Sequence, residues 1–166
     1  MYEPPPEYVV WTSEHWLVNQ CVDATLPGYL IVSSRDPAAA RLADLDVKAQ
    51  RALGPLLANL DAALQAVLAP AHVYFSRWGH EPGHAVHFHV IPMPAELVEA
   101  AEANDRYRAL KAFHAKDDAG DAGPLDGPDL SVYVVREYLE NARPYPLDGP
   151  TAEEVVRRLR ERLYSP

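Results

Sequence analysis

The chain has 166 residues, 48% of them hydrophobic, and its 24 acidic and 15 basic side chains give a formal net charge of -9. This length fits one domain, and the negative charge excludes a surface built to hold long nucleic acid by its phosphates. Cys21 is the only cysteine, which excludes an internal disulfide and a cysteine-rich zinc module. No stretch approaches the roughly 20 apolar residues that span a bilayer, and the acidic, proline-rich start is unlike a signal peptide. We therefore expect a cytoplasmic protein with no membrane partner.

Three strands are predicted before residue 36. The segments "EYVVWT" and "HWLVNQ" are rich in valine and aromatic residues, and the break at residues 12–14 predicts a hairpin turn between them. A third strand, "YLIVSSR", follows the turn signal of Pro27 and Gly28.

A long helix is predicted after these strands. From Asp46, a plausible N-cap, leucine and valine recur at helical spacing until Pro70. Pro55 is unfavourable inside a helix, where it costs about 3 kcal/mol. The sequence therefore predicts a kink at Pro55 or a helix that begins near Gly54.

The rest of the chain predicts a second hairpin and then helices. The segments "HVYFSRW" and "AVHFHVI" are strands joined by a loop at residues 79–83. Residues 95–115 have a helical pattern, and Thr151 and Glu154 form a capping box before a charged amphipathic helix. The sum is an α+β fold, a five-stranded antiparallel sheet with a long helix packed on it and the helices on one side. Residues 1–92 form the core, and residues 93–166 form a helical C-terminal extension of the same domain.

Four of the seven histidines lie in "HEPGHAVHFHVIP", where two motifs overlap. His80 to His84 spells H-E-x-x-H, a zinc-protease pattern that works only on a helix. Pro82 and Gly83 would cost such a helix about 4 kcal/mol, so the sequence disfavours the helix that this zinc motif requires.

The second motif has the spacing of a strand. Side chains two residues apart on a strand share one face, so His87 and His89 point the same way while Phe88 and Val90 point into the core. The spacing predicts that a rigid element presents two imidazoles side by side.

This stretch resembles the signature of the histidine triad (HIT) hydrolase and transferase family, in which three histidines alternate with apolar residues. The segment from Trp16 to Leu45, "WLVNQCVDATLPGYLIVSSRDPAAARLADL", also looks like the paired strands that precede the motif in that family. The resemblance covers residues 7–92 in the right order. It implies an antiparallel sheet with a long helix, usually assembled as a homodimer.

The resemblance assigns roles by position. His87 matches the nucleophile and His89 the histidine that contacts the substrate phosphate, whereas Ala85 stands where the first triad histidine is expected. Asn19 matches an asparagine that binds the nucleotide ribose. Tyr29 replaces the histidine usual after Pro-Gly.

The implied substrate is a small nucleotide conjugate, such as a dinucleoside polyphosphate or a nucleoside phosphoramidate. His87 would attack the α-phosphorus and form a nucleotidyl-histidine, and neither a metal nor another cofactor is required. Arg77 on the neighbouring strand is a candidate phosphate contact or a surface ion pair. His80 or His84 is a candidate for the imidazole missing at Ala85.

Two alternatives stay open at this point. One is a nucleotide-binding protein that has lost catalysis, and the other is a zinc site built from His80, His84, His87 and His89.

Overall fold

The computed structural model describes residues 3–78, 83–107, 123–141 and 146–164. Its sheet has five antiparallel strands in the order β1-β2-β3-β5-β4. The strands are β1 (Val9–Thr12), β2 (Trp16–Gln20), β3 (Leu30–Ser34), β4 (His72–Ser76) and β5 (His87–Met93). All five predicted strands are confirmed, as is the α+β fold. Within the described residues, no helix is both long and apolar enough to cross a membrane.

Helix α1 (Val47–Leu68) connects β3 to β4 and begins where the sequence places its N-cap. The carboxylate of Asp46 accepts hydrogen bonds from the backbone N–H groups of Lys48 and Ala49. The prediction of a start near Gly54 is wrong. Ala49 is buried and its carbonyl accepts a hydrogen bond from the Trp16 indole at 3.0 Å, so a tertiary contact holds the first turns. Pro55 lies inside the helix on its exposed side, where water can satisfy the carbonyl that proline leaves without a partner.

Further helices follow β5. They are α2 (Ala95–Ala103), α3 (Gly127–Tyr133), a π-helical segment (Val134–Leu139) and α4 (Ala152–Leu163). Helix α4 has the predicted capping box of Thr151 and Glu154. The predicted helix at 95–115 is observed from Ala95 to Ala103, a second helical stretch covers residues 105–107, and residues 108–115 lie outside the described part of the chain.

The helices cover both faces of the sheet, so the prediction of helices on one side is wrong. Helices α1 and α4 enclose one buried cluster with the side chains of Trp16, Val18, Leu30, Val32 and Val90. On the other face, Ile91 and Met93 pack in a second buried cluster with residues of α2, α3 and the π-helical segment. This second face is the one from which His87 and His89 project, since they alternate with Val90 on the same strand.

Candidate functional site

A row of cross-strand partners defines the site face of the sheet. Asn19 pairs with Ile31, Ile31 with His89, and His89 with Ser76. Directly paired residues project from the same face, so these four side chains share it. His87 lies in the next row, opposite Ser33. The centroids of the His87 and His89 rings are 5.2 Å apart, which places two imidazoles together as the strand spacing predicts.

His87 is held in one tautomer by a backbone carbonyl. Its Nδ1 lies 3.0 Å from the carbonyl oxygen of Ala85. A carbonyl oxygen only accepts hydrogen bonds, so Nδ1 carries the proton when the ring is neutral. The lone pair is then on Nε2, and that nitrogen is the nucleophilic atom of the ring.

His89 is held in the opposite way by Tyr29. The Tyr29 hydroxyl lies 2.8 Å from Nδ1 of His89. Burial, and then the neighbouring Cys21, raise the pKa of Tyr29, so its hydroxyl keeps its proton. A phenol is a better donor than an imidazole N–H and the imidazole nitrogen is a better acceptor, so O–H donates to Nδ1 and the His89 proton is on Nε2.

His89 is uncharged at neutral pH. Burial lowers its pKa to about 4, with a further contribution from His87. The ring of Trp78 stacks on it with centroids 4.9 Å apart. His89 therefore carries a neutral Nε2–H donor on a ring whose centroid is 5.2 Å from that of His87.

His84 lies before β5, which begins at His87. The alternation of side chains along the strand therefore does not fix the direction in which His84 points. His84 is exposed, and its ring centroid is 6.1 Å from that of His87. Gly83 has a φ of 91°, which is not helical, so the H-E-x-x-H helix is absent at this residue. His80, the other loop histidine of the predicted site, lies outside the described residues, as do Glu81 and Pro82.

Among the described residues, no group of three or more histidine, cysteine, aspartate or glutamate side chains is placed to hold a metal ion. His84, His87 and His89 are neighbours, but they do not converge as a ligand set. The zinc hypothesis therefore has no support from the described members of its set.

Asn19 is on the site face but is not beside the histidines. It lies two strands from His89, a separation of about 10 Å. Its side chain is buried, and the amide nitrogen donates to the carbonyl of Gln20 at 2.8 Å. Within the described structure its Oδ1 is buried with no hydrogen-bond partner, a state that costs about 1–3 kcal/mol.

The sequence offers Arg77 as a phosphate contact or as a member of a surface ion pair, and the contact that it makes in the structure is with a backbone carbonyl. Its guanidinium donates to the backbone carbonyl of Ala40 at 2.8 Å. The neighbouring Ala39 carbonyl accepts from the N–H of Val86, so this segment is joined to the chain just before β5. Arg77 thus joins the end of β4 to the loop beside the site.

Sequence reasoning missed the contacts of Tyr29 and Trp78 with His89. In the sequence, Tyr29 is distinguished only as a replacement for the histidine usual after Pro-Gly. Trp78 is two residues beyond Ser76, and alternation would have placed it on the His89 face if the register of β4 against β5 had been known.

The fold is similar to that of two solved structures. A Hit-like protein involved in cell-cycle regulation from Bartonella henselae, with an unknown ligand, aligns with a TM-score of 0.52 and 11% identity, over 94% of this chain and 86% of that one. A hypothetical histidine triad nucleotide-binding protein from Sulfolobus tokodaii aligns with a TM-score of 0.50 and 11% identity, over 94% and 85%. No family profile and no curated protein matches the sequence. At this identity the likeness shows a HIT-like fold.

Proposed function

We propose that this protein cleaves small nucleotide conjugates at the α-phosphate through a covalent nucleotidyl-histidine on His87, as a hydrolase or a nucleotidyl transferase. One observation carries the proposal, the pair of neighbouring imidazoles held in opposite tautomers. We propose that this nucleophilic nitrogen and this neutral donor act on one phosphate group, since the two ring centroids are 5.2 Å apart. The name of the similar Sulfolobus protein, a nucleotide-binding one, agrees with this substrate class.

The reaction has two steps. Nε2 of His87 bonds to the α-phosphorus while the bond from phosphorus to the leaving group breaks, and the leaving group takes a proton from water or from His84. Water then attacks phosphorus, the N–P bond breaks, and a nucleoside monophosphate is released. In both steps Nε2–H of His89 donates to the phosphoryl oxygens, where negative charge increases.

Asn19 is the proposed contact of the ribose. The support is its matched position in the sequence and an acceptor oxygen that has no partner among the described residues. Because Asn19 is enclosed, neighbouring side chains must move before a ribose hydroxyl can reach it.

The test is release of nucleoside monophosphate from a panel of nucleotide conjugates. We expect His87→Ala to lower the rate at least a thousandfold, because the attacking atom is lost. The wild-type protein quenched during turnover should carry an added nucleotidyl group by intact mass, and the variant should not.

The matched control is His72→Ala. His72 is an exposed histidine four residues from Ser76 on β4, about 13 Å along the strand from the row of His89. It should keep wild-type turnover. Equal turnover by the His87 variant would refute the assignment.

A second candidate function is nucleotide binding without catalysis. The observation that favours it is the methyl group of Ala85 where the resemblance implies a histidine. Saturable nucleotide binding with no release from any conjugate would establish it. The homodimer implied by the resemblance also stays a prediction, which the mass of the protein in solution checks.

A further inference from the structure

The ring of His89 is in contact with three other aromatic rings. Trp78 stacks on it, with centroids 4.9 Å apart and an angle of 28° between the ring planes. The Tyr29 ring lies 5.9 Å away and its hydroxyl bonds to Nδ1, and the His87 ring meets His89 edge-on at 5.2 Å. Of these three neighbours, Trp78 alone has no role assigned to it above.

Trp78 reaches His89 from the end of the neighbouring strand. Ser76, the last residue of β4, is the cross-strand partner of His89, and Trp78 follows two residues later. The Trp78 side chain is 42% exposed, so it is in contact with the protein on one side and with solvent on the other. Stacked rings cover each other's faces. The indole therefore shields one face of the His89 imidazole from water.

Stacking also restricts how the imidazole can turn. The hydrogen bond from Tyr29 holds one atom of the ring, Nδ1, and leaves the ring free to tilt about that atom. A second ring lying against its face removes this freedom. The Nε2–H bond of His89 then keeps one direction, which a donor needs if it is to meet developing charge without reorganising.

Enclosure also disfavours the charged form of His89. Burial is the larger cause of its lowered pKa, about 4, and His87 on the same strand is the smaller cause. The cross-strand partners Ile31 and Ser76 carry no charge, and Tyr29 keeps its proton. Shielding by Trp78 is thus part of the main cause.

No negative charge offsets this loss of water. Among the described residues, no acidic side chain contributes to the pKa of His89. From the C-terminal extension, Arg136 lines one cavity with Ser76 and Trp78, and its guanidinium pairs with Glu140 at 3.4 Å. The charge state of His89 therefore depends on how well its ring is covered.

We infer that Trp78 is a positioning residue, whose stacking holds the His89 ring in one orientation and keeps it an uncharged Nε2–H donor even in acidic solution. Trp78 acts through His89 and not through the substrate. Its role in catalysis rests on the proposed function, whereas its effect on the imidazole can be measured in the free protein.

The first experiment titrates the His89 ring of the free protein by NMR. In Trp78→Ala, water reaches the imidazole and stabilises its charged form. The midpoint should therefore rise from about 4 toward 6.5, by about one pH unit. Trp78→Phe should keep the midpoint of the wild-type protein, because a phenyl ring can still stack on the imidazole.

Phe75→Ala is the matched control. Phe75 is a 37% exposed aromatic residue on β4, but it pairs with the buried Val90 and so projects from the opposite face of the sheet. Its removal should leave the His89 midpoint where it is. The inference would be overturned by a wild-type midpoint in Trp78→Ala, or by an equal rise in Phe75→Ala.

The second experiment tests whether Trp78 acts through His89 during turnover. At pH 7, Trp78→Ala should lower kcat about tenfold with little change in KM, because the donor no longer keeps one direction. In the His89→Ala background the same substitution should have no further effect. Equal losses in both backgrounds would show that the indole contacts the substrate, and would reject the positioning role.

The two experiments also separate the inference from the proposed function. If no nucleotide conjugate is turned over, the proposed function fails, and the titration still decides what Trp78 does to His89. A midpoint raised in Trp78→Ala and not in Phe75→Ala supports the inference, and equal midpoints in the two variants reject it.

Discussion

At the scale of single residues, two histidines on one strand face differ because different groups bind their Nδ1 atoms. The carbonyl of Ala85 puts the proton of His87 on Nδ1, and the hydroxyl of Tyr29 puts the proton of His89 on Nε2. The hydrogen bond of His87 does not depend on which side chain residue 85 carries, because its acceptor is the backbone carbonyl of Ala85. The hydrogen bond of His89, by contrast, depends on the side chain of Tyr29.

Tyr29→Phe should therefore lower kcat about fivefold to tenfold with little change in KM, the effect expected from about one hydrogen bond. Without the hydroxyl, both tautomers of His89 are populated, and the donor proposed to meet the phosphoryl charge is present only part of the time. The ¹⁵N chemical shifts of the histidine rings measure the tautomer directly.

Tyr107→Phe is the control for this prediction, since it removes a buried tyrosine hydroxyl that bonds to Glu137 instead. It should leave the His89 shifts and kcat unchanged. A Tyr29 variant with wild-type shifts would show that the hydroxyl does not determine the tautomer.

At the scale of elements, helix α1 tolerates two residues that disfavour helices because both are exposed. Gly54 and Pro55 face solvent, and a Cβ added at Gly54 would meet no atom within 4 Å. The buried side of the helix, with Leu56, Leu60 and Leu64, supplies the packing that outweighs their cost.

Gly54→Ala should raise the free energy of unfolding by about 1 kcal/mol, because alanine loses less backbone entropy in a helix. Pro55→Ala should raise it by about 2 kcal/mol, less than the full cost of a helical proline, because proline also restricts the unfolded chain. Denaturant unfolding measures both changes. The exposed Ala58→Gly on the same helix should lower the value by about 1 kcal/mol, and a gain there would contradict this account.

At the scale of the whole molecule, the C-terminal extension is part of the core that supports the site. Val155, Val156 and Leu159 of α4 lie in the same buried cluster as α1 and the sheet. The guanidinium of Arg160 donates to the carbonyl of Val9, which joins α4 to the first strand. We therefore expect residues 1–92 and 93–166 to unfold together.

Leu159→Ala should lower the free energy of unfolding by about 2–5 kcal/mol in a single transition, because Leu159 is fully buried between the two parts. Arg158→Ala, at the exposed neighbouring position, should change it by less than about 0.5 kcal/mol. Fluorescence and circular dichroism followed in parallel measure this. Two separate transitions in the wild-type protein would show that the extension is an independent unit.

The local elements of this protein were predictable from sequence because they depend on short-range patterns. Alternation identified the strands, leucine spacing and Asp46 identified α1, and the motif spacing brought His87 and His89 to one face. Each of these follows from the geometry of a few neighbouring residues.

The tertiary structure alone decided what surrounds those elements. The register of β4 against β5 placed Ser76 and Trp78 beside His89, and the course of β3 brought Tyr29 to its Nδ1. Packing also put α3 against β4, where Gly127 lies close to the ring of Tyr74, and turned Arg77 toward Ala40. These contacts join residues far apart in the chain, and no local pattern specifies them, because they depend on how whole elements pack.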